Sequence, residues 1–344
     1  MSDDLDVKNW VGVDLGGTKM LAASFDAEFN LRARRRKRTR GSKGQESVIK
    51  RMIELIDGLL EKSAIKRDQL SGIGVGCPSP IDMSTGTVVE AVNLGWKQVP
   101  LQQILQDEYE CPVSVINDVD AGVFAESEFG AGKGAEGVLG IFPGTGIGGG
   151  CVFRGEILRG RQSCMEIGHI QVVPNGPLCG CGGYGCLETV ASRLAISAAV
   201  AKAAYRGEAP YLLETAGTDL AELRSGVLAA AVREGDTSVE KIIRAAAAWI
   251  GIAVADCVHL LSPDVIVLGG GLVEAMPQLY VEEVTASANA RVLSSFAGTF
   301  EIKVAELADD STVRGVALWI ARRMDPKTAK KNSNKVSDSN QGKS

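Results

Sequence analysis

The sequence predicts an α/β fold built from two similar halves. Short apolar segments typical of buried strands alternate along the chain with stretches whose apolar residues recur at helical spacing. A unit of strand, glycine turn and strand occurs twice, and the 344 residues are enough for two domains. We expect an N-terminal domain of residues 1–120 plus 311–325, a C-terminal domain of 121–310 with its boundary near Asp118–Gly122, and a disordered polar tail at 326–344.

The first half opens with a hairpin. Strands are predicted at Trp10–Asp14 and Lys19–Asp26, with a turn at Gly16–Thr18 between them. A helical stripe follows at Glu46–Ala64. The pattern then predicts a strand at Leu70–Cys77, a helix at Pro100–Glu110 with proline in its first position, a strand at Pro112–Asn117 and a helix at Val119–Phe129.

The second half repeats the opening. A strand at Gly137–Pro143, a glycine turn at Gly144–Gly150 and a strand at Cys151–Arg154 are expected. Long helical stretches follow at Thr189–Tyr205 and Val239–Leu261. The last elements predicted are a buried strand at Asp264–Leu268, which leads into Gly269–Gly271, and a helix at Ser311–Arg323.

Composition and charge favour an ordinary globular protein of the cytoplasm. Hydrophobic residues make up 45% and charged residues 23%, and the net charge of −5 does not favour nucleic acid or anionic membranes. The acidic N-terminus lacks the apolar core of a signal peptide, so we expect reduced cysteines. The basic run Arg32–Arg40 could bind nucleic acid, but a solvated edge strand whose charges prevent edge pairing is the favoured interpretation.

The first glycine turn has the composition of a phosphate-binding loop, although it is not a Walker motif. Gly16 and Gly17 allow backbone N–H groups to approach an anion closely. Thr18 adds a hydroxyl and Lys19 a positive charge. Asp14, at the end of a strand, is a candidate ligand for Mg²⁺, directly or through water.

Two further glycine sets strengthen this interpretation. The segment PGTGIGGG contributes Gly144, Thr145, Gly146 and Gly148 as a second side of a polyphosphate clamp. Gly269 and Gly270 follow a buried strand, where the backbone can pass close to a nucleotide base or ribose. Any one of these sets could be an ordinary turn, whereas the three in order indicate nucleotide binding.

The segment from Gly168 to Glu188 predicts a zinc site. It holds three of the eight cysteines within eight residues, together with one of only two histidines. Thiolates and imidazole are the preferred ligands of Zn²⁺, and a set of three Cys and one His leaves no open position for a catalytic water. We therefore expect a structural zinc ion held by His169, Cys179, Cys181 and Cys186.

Carboxylates near these motifs are candidates for catalysis and sugar binding. Asp118 follows a predicted strand, where a general base could accept the proton of an attacking hydroxyl, although an aspartate there could also cap the next helix. Glu166 and Glu188 lie beside the predicted zinc ligands, so the zinc loop would fix both. Asn93, in NLGW, could add a hydrogen bond to a sugar.

These residues resemble the ROK family (repressors, open reading frames, kinases). The resemblance covers residues from about Trp10 to about Arg323. It rests on VDLGGTK, NLGW, ND, GTGIGGG, E-x-G-H, C-x-C-G-x-x-G-C-x-E and LGGG, and the zinc motif with its E-x-G-H is the most specific part. The resemblance implies an actin-like, hexokinase-like (ribonuclease H-like) fold with two similar domains around a central cleft.

The resemblance also implies an activity: phosphoryl transfer from MgATP to the 6-hydroxyl of glucose, by a homodimer that contains structural Zn²⁺. Asp118 would be the catalytic base, and the glycine turns would contact phosphate. His169 would bind zinc through one ring nitrogen and sugar through the other. The implied sugar contacts come from Asn93, Asn117, Asp118, Glu166, His169 and Glu188.

Two alternatives remain open at this point. Ser79 and Asp120 stand where glucokinases of this family often have glycine and asparagine. The substrate could therefore be fructose, mannose, allose, N-acetylglucosamine or N-acetylmannosamine, and polyphosphate could replace ATP as the donor. A sugar-responsive repressor would carry a helix-turn-helix domain ahead of D-x-G-G-T-K; only nine residues precede Trp10, which favours an enzyme.

Overall fold

The computed structural model of the chain describes residues 8–160 and 165–324. The chain forms two compact units: Met1–Gly134, Arg154–Cys164 and Asp309–Ser344 make the first, and Ala135–Phe153 with Met165–Ala308 the second. The sequence placed the boundary near Asp118–Gly122, inside what is a continuous helix, and did not assign Arg154–Cys164 to the N-terminal domain. The tail predicted at 326–344 lies outside the described residues.

The first unit contains two sheets and four α-helices within its described residues. The strands of these sheets are β1 (Trp10–Leu15), β2 (Lys19–Phe25), β3 (Leu31–Arg38), β4 (Gly72–Cys77), β5 (Ile81–Asp82), β6 (Thr87–Ala91), β7 (Trp96–Val99) and β8 (Val113–Asn117). The short strand β11 (Glu156–Ile157) also falls within the residues of this unit but belongs to neither sheet. The helices of this unit are α1 (Gln45–Ser63), α2 (Leu101–Tyr109), α3 (Asp118–Phe129) and α11 (Ser311–Met324). The helix predicted with Pro100 in its first position begins one residue later, and Pro100 precedes it.

The larger sheet of this unit has the order β3-β2-β1-β4-β8. β1, β2 and β3 are antiparallel neighbours, whereas β4 runs parallel to both β1 and β8. The carboxyl ends of β1, β4 and β8 therefore share one edge, where ligands bind in open α/β sheets. A small antiparallel sheet of β5, β6 and β7 lies in the same unit.

Helix α11 packs directly on the backbone of this sheet. Gly12 in β1 has no side chain to hold the helix away, and a Cβ there would overlap the carbonyl oxygen of Val313. Gly74 in β4 meets the carbonyl of Val316 in the same way. The close approach explains why these central strands carry glycine despite its low strand propensity.

The basic strand β3 is the edge strand that the sequence predicted. Arg34 and Arg36 form ion pairs with Asp310 and Asp309, at 3.3 and 2.6 Å. Lys62 and Arg51, from α1, donate to outward carbonyl oxygens of the strand. Arg34 and Arg36 of β3 are thus paired with aspartates of the same unit, and side chains of α1 occupy part of the outer edge of the strand.

The second unit repeats the strand order of the first. Its strands are β9 (Gly137–Pro143), β10 (Ile147–Phe153), β12 (Val265–Leu268) and β13 (Glu301–Val304). The antiparallel hairpin of β10 and β9 continues into the parallel strands β12 and β13, as β2 and β1 continue into β4 and β8. This recurrence confirms the duplication inferred from the two strand–turn–strand units.

The described part of the second unit has seven helices, of which the longest, α8, forms the centre of the core. They are α4 (Glu188–Ala191), α5 (Arg193–Tyr205), α6 (Pro210–Ala216), α7 (Ser225–Arg233), α8 (Thr237–Leu261), α9 (Gly271–Ala275) and α10 (Pro277–Asn289). Of the described helices, only α8 is long and apolar enough to cross a membrane by length and composition. Apolar residues of α8, including Ile243, Ile250 and Val254, are fully buried in the core of the unit. A core helix has the same apolar composition as a membrane-spanning one, so this burial explains why α8 is so apolar.

The predicted boundaries were wrong for the strand after the second glycine turn and for the helix at Thr189–Tyr205. The glycine turn ends at Gly146, and the strand expected at Cys151–Arg154 starts four residues earlier, at Ile147. Glycines 148–150 pair with β9 in the ladder, which the turn-forming tendency of glycine concealed. The single helix expected at Thr189–Tyr205 is broken at Ser192, whose hydroxyl accepts from the Ala195 N–H at 3.2 Å and caps α5.

Because Gly12 lies against Val313, we predict that Gly12→Ala lowers the free energy of unfolding by about 3 kcal/mol. Gly226, in α7, has open space within 4 Å of the position that a Cβ would occupy, so Gly226→Ala is the matched control and should be neutral or slightly stabilising. Urea denaturation measures both. Equal midpoints for Gly12→Ala and the wild type would contradict the close packing of α11.

Candidate functional site

The first glycine turn lies between β1 and β2 and is held by neighbours from its own unit. The hydroxyl of Thr39 donates to the Gly16 carbonyl at 2.6 Å. A Cβ on Gly17 would lie 3.4 Å from the Cβ of Asn93, so the predicted sugar ligand is close to the predicted phosphate turn. Thr18 and Lys19 are exposed, as phosphate contacts need to be.

Lys19 already has an anionic partner. Its Nζ lies 3.3 Å from Oδ1 of Asp309, whose other oxygen pairs with Arg36. Sequence reasoning did not single out Asp309, although two consecutive aspartates before the last helix were visible. The pair is exposed, so its net contribution to stability is small and a phosphate group can compete for Lys19.

Asp14 and Asp118 come together at the carboxyl edge of the first sheet. Asp14 is opposite Gly76 in the β1–β4 register, and a Cβ on Gly76 would lie 3.3 Å from the Cα of Asp118. Burial, followed by the negative charge of Asp118, raises the pKa of Asp14 to about 7, although Lys19 opposes the shift. A bound cation would relieve this charge, which fits the predicted Mg²⁺ site.

Two side chains at the end of β8 accept hydrogen bonds from the start of α3. Asn117 is the cap of α3: its Oδ1 accepts from the N–H groups of Val119 and Asp120, at 2.8 and 3.0 Å. Asp118 is the first helical residue, and its Oδ1 accepts from the Val119 N–H at 3.0 Å. Since Asn117 satisfies the helix end, the capping role considered for Asp118 is taken by its neighbour.

The second glycine turn, Gly144–Gly146, joins β9 and β10. The turn closes through a hydrogen bond from the Gly144 N–H to the Gly146 carbonyl, at 2.8 Å. Thr145 is exposed at its tip, and Gly148 is half-buried in β10. The third glycine set, Gly269 and Gly270, lies beside the second turn: a Cβ on Gly270 would be 2.9 Å from the Pro143 carbonyl oxygen. The φ of +83° at Gly270 also favours glycine.

The four predicted zinc ligands form one cluster. The Nδ1 or Nε2 atom of His169 and the Sγ atoms of Cys179, Cys181 and Cys186 all lie within 4.8 Å of one another. The described cysteines are all free of disulfides. The sequence therefore predicted correctly which side chains meet.

The spacing inside this cluster matches the geometry of tetrahedral zinc. Two sulfurs bound about 2.3 Å from one Zn²⁺ lie about 3.8 Å apart, and a sulfur and a nitrogen about 3.6 Å apart. The Cys181 and Cys186 sulfurs are 3.7 Å apart, and Cys179 Sγ is 3.5 Å from His169 Nδ1. The Gly183 N–H donates to Cys181 Sγ and lowers the pKa of that thiol, whereas burial, followed by the neighbouring Cys181, raises the pKa of the Cys186 thiol to about 12.

The other histidine, His259, has ordinary surface contacts. His259, at the end of α8, is exposed, and its Nε2 accepts from the Leu293 N–H at 3.1 Å. Its ring meets Phe296 edge-on, with centroids 5.6 Å apart. These contacts agree with the expectation of an ordinary surface residue.

Glu188 connects the cysteine loop to the second glycine turn. It begins α4, two residues after Cys186, and its Oε2 accepts from the backbone N–H of Ile147 at 3.1 Å. A Cβ on Gly146 would overlap that carboxylate, so glycine is needed there for close approach as well as for turning. Glu166, in contrast, is exposed, and its carbonyl accepts from the His169 N–H at 2.9 Å.

Sequence reasoning missed one residue of this region, Arg193. Its backbone N–H donates to the Gly144 carbonyl and its Nη2 to Thr145 Oγ1, each at 2.8 Å. The sequence contained one indication of this helix start. Ser192 follows an apolar run, where serine is a typical helix cap, and α5 begins at the next residue, Arg193.

The predicted site residues thus form separate groups in the two units. The first unit holds the first glycine turn, Gly16–Lys19, together with Asp14, Asn93, Asn117 and Asp118. The second unit holds the glycine turns at 144–146 and 269–270, the cysteine cluster, Glu166 and Glu188. Within each unit, residues expected to act together lie close to one another, as Gly17 does to Asn93 and Gly146 to Glu188.

Comparison with known proteins identifies the family. The model of the ROK family matches residues 10–323. A glucokinase of Halalkalibacterium halodurans is 33% identical over 330 residues, which cover 94% of this chain and 98% of that enzyme. The chain belongs to the ROK family, as its motifs indicated.

The fold and the sugar-kinase class are supported in the same way. The crystal structure of a ROK family glucokinase from Streptomyces griseus, in complex with glucose and AMPPNP, matches with a TM-score of 0.79 at 29% identity, covering 90% of this chain and 98% of that chain. This similarity confirms the predicted α/β, actin-like sugar-kinase fold. A xylose repressor of Caldicellulosiruptor bescii is more distant, at 28% identity over 80% of this chain and 69% of the repressor.

The pKa of Asp14 predicts how stability depends on pH. Between about pH 4 and 7 the unfolded Asp14 is ionised while the folded residue keeps its proton, so the free energy of unfolding falls as pH rises, by at most about 4 kcal/mol. We predict that Asp14→Asn, without added Mg²⁺, is more stable than the wild type at pH 8, and that this difference shrinks toward pH 5.

Urea denaturation at several pH values tests this prediction. Asp68→Asn, at an exposed position of the same unit, is the control and should leave the pH dependence unchanged. A stability difference between Asp14→Asn and the wild type that is constant across pH would show that Asp14 ionises normally.

Proposed function

We propose that the protein is an ATP-dependent hexokinase that phosphorylates the 6-hydroxyl of glucose. The observation that carries this proposal is the similarity to a glucokinase over nearly the whole chain, with a carboxylate, Asp118, at the carboxyl end of β8. The chain is thus a sugar kinase, a phosphotransferase with an alcohol acceptor.

Asp118 is proposed as the general base. It would accept the proton of the sugar hydroxyl as the hydroxyl oxygen attacks the γ-phosphorus and the bond to the ADP leaving group breaks. The hydrogen bond from the Val119 N–H to Oδ1 orients the carboxylate. The adjacent negative charge of Asp14 must be neutralised for both carboxylates to be ionised at once, and this is the role proposed for Mg²⁺.

Donor binding is assigned to the glycine sets. Gly16, Gly17, Thr18 and Lys19 in the first unit, and Gly144, Thr145, Gly146 and Gly148 in the second, are proposed to contact the phosphates of ATP. Backbone N–H groups and Lys19 would stabilise the charge that develops on the transferred phosphoryl group. Gly269 and Gly270 are proposed to lie against the nucleoside.

Sugar binding is assigned to Asn93, Asn117, Asp118, Glu166, His169 and Glu188. Two of these residues have one polar atom already used. Oε2 of Glu188 accepts from Ile147, which leaves Oε1 for a sugar hydroxyl. Nδ1 of His169 faces Cys179, which leaves Nε2 for the sugar.

We also propose that the cysteine cluster holds a structural Zn²⁺. Its Cys₃His donor set and its internal distances support zinc over other metals. The ion would supply no chemical step; by closing the loop it would fix His169 and Glu188, the latter against the second glycine turn.

A different hexose is the second candidate substrate, because Ser79 stands where glucokinases of the family often have glycine. The Ser79 hydroxyl is buried and donates to the carbonyl oxygens of Pro80 and Glu90, both at 2.9 Å. It therefore braces its own loop, and glucose remains the favoured substrate. We further propose a cytoplasmic homodimer, by resemblance to the family.

The substrate proposal predicts the outcome of a kinetic panel. With MgATP, glucose should give a higher kcat/KM than fructose, mannose, allose, N-acetylglucosamine or N-acetylmannosamine. Asp118→Asn should lower kcat by about 10²–10⁴-fold while glucose still binds, because only the proton acceptor is lost. Asp107→Asn, an exposed carboxylate on α2, is the control and should keep full activity.

A higher kcat/KM for another sugar would replace glucose as the substrate. Near-normal turnover by Asp118→Asn would remove Asp118 from the role of base. Polyphosphate, tested as donor in the same panel, should support a lower rate than ATP.

The zinc proposal predicts about one Zn²⁺ per chain by elemental analysis. Cys181→Ser should lose the metal and activity together, because three ligands bind Zn²⁺ less tightly and the loop that carries Glu188 loosens. Cys111→Ser, at a half-buried cysteine of the first unit, should keep both. A fully active Cys181→Ser enzyme without zinc would contradict the bracing role.

A further inference from the structure

Arg193 lies at the second glycine turn with more donors than its own unit uses. Its backbone N–H binds the Gly144 carbonyl and its Nη2 binds Thr145 Oγ1, so one residue contacts two consecutive positions of the turn. A continuous helix could not make the first contact, because the Arg193 N–H would then bind the carbonyl four residues earlier. The break at Ser192 therefore brings this arginine to the turn.

The guanidinium of Arg193 is available to an anion. A guanidinium has five N–H donors, and Arg193 uses one of them on Thr145. Among residues 8–160 and 165–324, no Asp or Glu forms an ion pair with Arg193, whereas Arg34, Arg36, Arg67, Arg244 and Arg322 are all paired. Its side chain is half-buried beside the exposed Thr145.

The contact also fixes the direction of the Thr145 hydroxyl. That oxygen accepts from Arg193, so its own proton must point to another acceptor. A hydroxyl proton and guanidinium N–H groups side by side form a donor array suited to the oxygens of a phosphate. In the neighbouring Glu188 carboxylate, Oε2 accepts from the Ile147 N–H of the same turn.

We propose that Arg193 binds the β- and γ-phosphates of the phosphoryl donor together with Thr145. The inference rests on the proposed kinase function and adds to it a donor-specific residue outside the glycine motifs. No bond changes at Arg193: it places charge-assisted hydrogen bonds on oxygens that become more negative during transfer.

Binding and kinetics of Arg193→Ala test the proposal. AMPPNP carries three phosphates and AMP only one, so calorimetry with both, in the presence of Mg²⁺, separates polyphosphate contacts from nucleoside contacts. We expect Arg193→Ala to weaken AMPPNP and raise the KM for ATP by about ten-fold or more, while AMP affinity and the KM for glucose change by less than about two-fold. Arg193→Lys should recover part of the loss, because it keeps the charge without the planar donors.

Two controls separate a direct contact from a general effect. Lys202→Ala removes a positive charge from an exposed position of the same helix and should leave AMPPNP affinity within about two-fold of the wild type. Thr145→Val should weaken AMPPNP, and in combination with Arg193→Ala it should add less than its own effect.

Three results would overturn the proposal. They are unchanged AMPPNP affinity in Arg193→Ala, equal losses for AMPPNP and AMP, and a loss for Lys202→Ala as large as that for Arg193→Ala. A wild-type enzyme that binds AMPPNP through Arg193 but does not phosphorylate hexoses would refute the kinase function and leave the phosphate site standing.

Discussion

The hydrogen bond from the Ile147 N–H to the Glu188 carboxylate is the contact on which the second unit's site depends. It ties a strand that starts at a phosphate-type turn to a loop that closes around three thiols and an imidazole. Five residues further on, Arg193 makes two more hydrogen bonds to the same turn. Three hydrogen bonds from one short segment thus hold Gly144, Thr145 and Ile147, and the glycine at 146 lets the carboxylate approach.

Through these hydrogen bonds, the proposed role of the cysteine cluster is to hold the loop that carries Glu188 in place, without taking part in a chemical step. A loop rich in glycine and proline has high conformational entropy, so it cannot hold a carboxylate in place unless something else orders it. The cluster spacing matches tetrahedral zinc, and the proposed metal ion would provide that order by joining the four side chains. Glycine turns bind phosphate with backbone N–H groups, and such groups are effective only when their directions are fixed in advance.

Asp14 shows a corresponding constraint in the first unit. The strand order places two carboxylates beside Gly76 at one sheet edge, and burial raises the pKa of Asp14 to about 7. A strongly raised carboxyl pKa of this kind is typical of functional sites, where an ionisable group is held in an unfavourable environment until a ligand binds. A cation at Asp14 would turn the unfavourable charge into a binding site.

Sequence patterns predicted most of the fold because its strands are short, apolar and punctuated by glycine. They also predicted that His169 and the three cysteines of its loop lie together, because their spacing depends on local chain geometry, and the ROK resemblance was confirmed by the family match. The limits of β10 were wrong because Gly148–Gly150 look like a turn but pair in a ladder. Arg193 and the Lys19–Asp309 pair were missed because each depends on contacts between segments distant in sequence, which no local pattern reports.

We expect metal binding at His169 and the three cysteines to order the second glycine turn through Glu188 and Arg193. Hydrogen–deuterium exchange, measured before and after a chelator removes the metal, tests this coupling. Loss of the metal should give faster exchange in the peptide that contains Gly144–Ile147, with unchanged exchange in the peptide that contains the Gly16–Lys19 turn. Unchanged exchange at Gly144–Ile147, while the cysteine loop itself exchanges faster, would contradict it.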